Sequence, residues 1–261
     1  MNTLKLLSYS LAAAVLFAAC SGNSLIDTTN PSGSAGLGEL DIAMVHHLED
    51  GSGLSIDPDG GKTLTNDLGY TVDFEAAKLN WHSLKLISSG DDPDCEGGLD
   101  QELDIDASED LLGEDLLTHV LASHEIPLAA YCSYELTLAP GSASGAALKN
   151  HAGEDHGAAS TFPESFHLAG TWTKGVDSGN FHIDTTDSVT VSGLFHAREN
   201  GELVAHPLHF HEGETAAEAH FETKYDLLVR GVDFKNQSED QQRERVLANL
   251  QDAIGQHLDE H

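Results

Sequence analysis

Leu128-Ala129-Ala130-Tyr131-Cys132-Ser133-Tyr134-Glu135-Leu136-Thr137-Leu138-Ala139-Pro140-Gly141 is the stretch from which the fold is read. Leu128, Ala130, Cys132, Tyr134, Leu136 and Leu138 fall on one parity, with Ser133, Glu135 and Thr137 on the other. Alternate residues of a strand point to opposite faces, so this is a half-buried strand, and Pro140-Gly141 ends it.

The same period recurs on both sides. Leu40, Ile42 and Met44 alternate with Asp41 and Ala43; Val72, Phe74 and Ala76 alternate before a shift to Leu79 and Trp81, then to Leu84 and Leu86. Such phase changes imply a bulge or two successive strands. Downstream, Phe166, Leu168, Gly170 and Trp172 form one inward face; Val189, Val191, Gly193 and Phe195 form another. Phe221, Thr223, Tyr225, Leu227 and Val229 close the series. Asn200-Gly201 between Glu199 and Glu202 marks a hairpin, because Asn-Gly tolerates the positive φ angles of a type I′ turn. Many short strands between turn signals predict a mainly β chain folded as an antiparallel β-sandwich. Two helices are expected. A short middle one spans about Glu109 to Ser123, apolar at Leu112, Leu116, Leu117 and Val120. An amphipathic one occupies 237–261, capped by Ser238 with Gln241 completing a capping box, its stripe formed by Val246, Leu247, Leu250, Ile254 and Leu258.

The ends suggest the compartment. Lys5 precedes an uncharged apolar run from Leu6 to Ala19, which reads as an export signal over 1–19. Leu16-Phe17-Ala18-Ala19-Cys20 resembles a bacterial lipobox, which implies lipidation of Cys20 and an anchor in the cell envelope, at the outer membrane given Ser21. Residues 20–36 are rich in Ser, Gly, Asn and Thr and read as a flexible tether; 37–236 would hold the sandwich. Cys95 and Cys132 then remain, and in an oxidising compartment they read as one disulfide closing a loop worth roughly 3–4 kcal/mol.

Sixteen histidines accompany 44 Asp+Glu and only 12 Lys+Arg. Neutral imidazole is the commonest metal ligand, and carboxylates favour a nearby cation. On an extended strand His209 and His211 project together, while His206 faces away unless Pro207 bends the chain; Glu212 and Glu214 follow. Counted out from the Asn200-Gly201 turn, His196 falls opposite Ala205 and shares a face with His209 and His211. His182, His167 and His220 sit on the polar parity of their strands, so neighbouring strands are expected to present one histidine-rich face. The Ser/Gly/Ala-rich loop 141–160 carries His151, Glu154, Asp155 and His156, an auxiliary set for weak ion capture. His46, His47, His82, His119, His124, His257 and His261 are read as ordinary polar residues. Imidazole and carboxylate with two Met and no free thiol suit zinc or copper(II). Asp57-Pro58-Asp59-Gly60-Gly61 lacks EF-hand spacing and is read as a turn.

Tyr70-Thr71-Val72-Asp73-Phe74-Glu75-Ala76-Ala77-Lys78-Leu79, leading to Trp81-His82-Ser83-Leu84-Lys85-Leu86, is followed by Ile126-Pro127-Leu128-Ala129-Ala130-Tyr131. This order resembles periplasmic β-sandwich lipoproteins of the methanobactin-locus copper-binding (MbnP-like) type. The resemblance implies metal binding by histidine, sometimes beside a modified tryptophan; it assigns no ligand set here.

HExxH, G-x-S-x-G, P-loop and dinucleotide signatures are missing, so no enzyme class is indicated. A net charge of −32 repels nucleic acid. The expected function is therefore an exported lipoprotein that binds a divalent metal and exchanges it with a periplasmic or outer-membrane metal transporter or metallochaperone. The alternative is an acidic envelope interaction module whose histidines tune charge, since protonating all 16 would halve the formal negative charge.

Overall fold

The computed structural model describes residues 36–89, 95, 99–141, 149–150, 162–199, 202–210 and 215–257. Its strands run, in order, β1 (Leu37–His47), β2 (Lys62–Thr65), β3 (Thr71–Ile87), β4 (Gln101–Asp110), β5 (His119–Pro127), β6 (Ser133–Leu138) and β7 (Lys149–Asn150). They continue through β8 (Phe166–Lys174), β9 (Asp177–Thr185), β10 (Val189–Leu194), β11 (His196–Glu199), β12 (Glu202–Ala205) and β13 (Ala216–Lys224). Helices α1 (Tyr225–Leu228) and α2 (Glu239–Ala253) follow, and β14 (Ile254–His257) closes the described chain.

The molecule is a β-sandwich. One sheet has the order β14-β13-β1-β5-β7; the other runs β10-β6-β3-β8-β9, with β2 and β4 also on β3. Their inward faces share one core, in which Leu40, Ile42 and Met44 meet Leu79, Trp81 and Leu84. Pairing is antiparallel except for β1 with β13, which are parallel.

Strand β3 organises the larger sheet. It is 17 residues long, with β2 and β4 along one edge and β8 and β6 along the other. Its ladders slip between Phe74 and Ala76 and again between Trp81 and Ser83. Each slip moves the buried set by one residue, so the three phases in the sequence are one bulged strand. Ala77 rather than Ala76 is buried after the first slip. In β6, Tyr134, Leu136 and Leu138 are buried while Ser133, Glu135 and Thr137 are half-exposed. The alternation does not extend upstream. There the fully buried residue is Tyr131, held by a lone bridge to Leu208.

Three expectations are corrected. The middle helix expected over Glu109–Ser123 is replaced by the end of β4, a turn and β5. Leu103, Ile105, Ala107 and Glu109 are all buried, so the two-residue period of β4 runs on through Glu109, and Gly113 adds no helical propensity. Leu116, assigned to the helix stripe, is 56% exposed with a left-handed φ of 62°. The short helix lies instead at Tyr225–Leu228, where a continued strand was expected. Helix α2 carries the Ser238–Gln241 capping box but ends at Ala253. Ile254 turns into β14, because Gly255 weakens a further helical turn and β13 offers an open edge.

Cys95 and Cys132 lie at disulfide distance, their Cα atoms 6.0 Å apart.

Candidate functional site

The hairpin β11–β12 has the expected register, with His196 opposite Ala205 and Glu199 opposite Glu202. The strand then stops at Ala205, so the alternation that paired His209 with His211 does not apply. Instead the chain bends at Pro207. The His206 and His209 rings stack with centroids 5.0 Å apart and planes at 24°. Both Nδ1–H groups donate to one acceptor, the Pro207 carbonyl oxygen, each at 3.0 Å. A carbonyl only accepts, so in each neutral ring the proton is on Nδ1 and the lone pair on Nε2. The bend is anchored on both sides. The His206 N–H donates to the Phe195 carbonyl at 2.9 Å, and Leu208, 2% exposed, exchanges backbone bonds with Tyr131 at 2.8 and 2.9 Å.

The remaining predicted ligands stand elsewhere. His196 lines a cleft of about 250 Å³ together with Glu222, Lys224, Asp252 and Gln256, and its N–H donates to Gln256 Oε1 at 2.9 Å. His182 projects from β9, its ring centroid 4.9 Å from that of His167 on β8. Its Nε2 is 3.9 Å from Asp184 Oδ2, and His167 lies opposite Asp184 in the ladder. Burial and then the neighbouring His182 charge hold His167 below the ordinary histidine value, favouring its neutral form. His220 lies within β13 with its Nε2 2.5 Å from Glu218 Oε1.

The single histidine-rich face is therefore corrected. β11 and β12 form their own two-stranded sheet, β9 belongs to one large sheet and β13 to the other. Parity along each strand does not make strands neighbours. His211, Glu212, Glu214, the loop residues His151, Glu154, Asp155 and His156, and Cys20 with its signal and tether lie outside the described residues. Among the described residues, no group of three or more His, Cys, Asp or Glu side chains is arranged to hold a metal ion.

Sequence reasoning missed a buried charge cluster at one end of the sandwich. His46 continues the inward parity of Leu40, Ile42 and Met44 on β1, Glu109 that of β4, and Lys62 precedes buried Leu64 on β2. All three are only 1% exposed. The His46 Nδ1–H donates to Glu109 Oε1 at 3.1 Å, and His46 Nε2 faces Asp115 Oδ1 at 3.3 Å. Trp81 Nε1–H donates to Glu109 Oε2 at 3.0 Å. Lys62 Nζ contacts Asp115 Oδ1 directly and donates to the Leu111 carbonyl at 2.8 Å. Asp115 Oδ2 accepts from Tyr225 O–H and from the Leu54 N–H. Burial, followed by the Asp115 carboxylate, pushes the Tyr225 phenol far above its usual value, so it stays a donor. With the ring doubly protonated, the cluster balances two cations against two carboxylates, the condition for burying charge. Inward parity at His46 and Glu109 was the available signal; it was outweighed by the rule that charged residues face solvent.

Other histidines have local structural partners. His124 Nε2–H donates to the Asp104 carbonyl at 2.8 Å, His82 pairs with Asp106 at 2.9 Å, and His47 faces Glu222 at 3.6 Å. The chain matches no family model, no curated protein and no solved structure.

Proposed function

We propose that this is an exported, lipid-anchored envelope protein that binds zinc or copper(II) through paired imidazoles, for capture or delivery to a transporter or metallochaperone. The observation that carries the reading is the His206–His209 pair. Two stacked rings spend their Nδ1 protons on one backbone oxygen, the second contact that orients metal-binding histidines. Coordination would run through the two Nε2 atoms, and water can complete the shell of a Zn²⁺ or Cu²⁺ ion held by two histidines. His167 and His182 are a second, more open pair. The lipobox-like Leu16–Cys20 segment and the resemblance to MbnP-like lipoproteins support an envelope location and copper as one of the two candidates.

Titration of the tag-free protein with Zn²⁺ and with Cu²⁺ by calorimetry tests the reading. Sub-millimolar binding is expected for at least one metal, with loss of the tightest site in the His206→Ala/His209→Ala double variant. Affinity no better than about 1 mM (about −4 kcal/mol) for both metals would sink it. Cys20→Ser should abolish incorporation of labelled fatty acid; unchanged incorporation would overturn the anchor.

A further inference from the structure

Lys62 and Asp115 are the most deeply buried lysine–carboxylate pair among the described residues, 1% and 4% exposed at their side chains. They come from distant elements, the first residue of β2 and the turn between β4 and β5. An ion pair this dry gains little over an apolar contact. The groups around it, however, are those that acyl transfer to an amine requires.

We propose that Lys62 and Asp115 condense into an intramolecular amide that covalently ties β2 to the β4–β5 turn. The pair first exchanges one proton, from the Lys62 ammonium to Asp115 Oδ1, which leaves the net charge unchanged. The freed amine lone pair attacks Asp115 Cγ, forming the C–N bond. The displaced π electrons move onto Oδ2, where the Tyr225 O–H and Leu54 N–H already converge as a two-donor oxyanion hole. His46 Nε2–H, 3.3 Å from Oδ1, gives its proton to the Oδ1 hydroxyl, which leaves as water when the C–O bond breaks. Of the two protons on the attacking nitrogen, one passes to the His46 imidazole, which its own donation left neutral, and the other stays as the amide N–H. Ammonium plus carboxylate thus become amide plus one water, with no oxidant or co-reactant. Glu109 touches none of the reacting atoms. It positions His46 and balances the imidazolium through the 3.1 Å contact, and is itself fixed by Trp81.

Orientation is supplied by the fold. Lys62 Nζ is held against Oδ1 by the Leu111 carbonyl, which replaces a diffusive encounter with a fixed one. The space beside Lys62, walled by Phe74, Ala77 and Leu168, has a volume of about 10 Å³ and a largely apolar lining that offers a released water few hydrogen-bond partners, which disfavours the reverse reaction.

Trypsin followed by mass spectrometry of the purified full chain tests this. An acylated Lys62 resists cleavage, so the expected product is a branched peptide joining the segment that ends at Lys78 to the segment 86–149, lighter by one water than their sum. Cleavage after Lys62, with the Asp115 peptide at full mass, overturns the proposal. Glu109→Gln, checked for folding by near-ultraviolet circular dichroism, should lower the cross-linked fraction several-fold at equal time after synthesis. A folded variant that cross-links as fully as the native chain overturns the role given to Glu109. Asp115→Asn should restore the same amide with ammonia as the leaving group, and Asp115→Ala should not.

Discussion

A single buried carboxylate shows how finely the interior is satisfied. Glu109 Oε1 serves His46 and Oε2 serves Trp81. Trp81→Phe keeps an aromatic side chain but removes the donor and part of the buried indole, leaving Oε2 unsatisfied in a dry site. The expected cost is about 1–3 kcal/mol, read as a lower urea midpoint with unchanged slope. His47 gives the pH dependence. Its contact with the Glu222 carboxylate raises it above the ordinary 6.5, against an opposing effect of burial. The folded form then binds its proton more tightly than the unfolded chain. The stabilisation is whole below 6.5 and is lost as pH rises through the raised folded value. The difference in urea stability between the native chain and His47→Asn should shrink across that window; a pH-independent difference would contradict the assignment. At this scale the sequence was least legible. Chain order says that His206 and His209 are close, but only the Pro207 bend and the Leu208–Tyr131 bridge put their rings in register. Likewise, nothing local to His46 announces Glu109, 63 residues away.

At the scale of elements, periodicity carried most of the information. Where the core demanded apolar residues on alternate positions, as in β3, β6 and β8, the sequence pattern and the buried faces coincide, except at the first bulge of β3, which buries Ala77 in place of Ala76. Reading failed where polar groups occupy inward positions, since Glu109 and the turn after it mimic a helix with acidic residues in its first turn. It failed again where pairing overrode local preference, at the switch from α2 to β14. The Asp57–Gly61 turn did behave as its residues require, with Gly60 at a φ of 90° closing back on the Asp57 carbonyl. Two element-level outcomes follow. Ser238→Ala removes the side-chain oxygen that accepts from the Gln241 N–H and should lower stability by about 1 kcal/mol in chemical denaturation. Reducing the Cys95–Cys132 pair, 37 residues apart in sequence, should lower it by roughly 3–4 kcal/mol in the chain-entropy model.

Over the whole molecule, 44 acids against 12 bases leave −32 of formal charge on the chain. Self-repulsion on that scale is long-ranged and screenable. The thermal midpoint should therefore rise between about 0.01 M and about 0.5 M sodium chloride, where the Debye length falls several-fold. A midpoint indifferent to salt would show that the acids are offset by local pairing. The parallel contact of β1 with β13 bears on how such a chain is made. Along one edge, residues 39–47 find their ladder partners in 216–224, so residues 48–215 separate the two strands. A chain emerging from its N-terminal end, from a ribosome or through a narrow channel, cannot complete that sheet until almost all of it is out. Its first strand waits with one edge open to any holding factor, and the sandwich closes late and all at once rather than strand by strand.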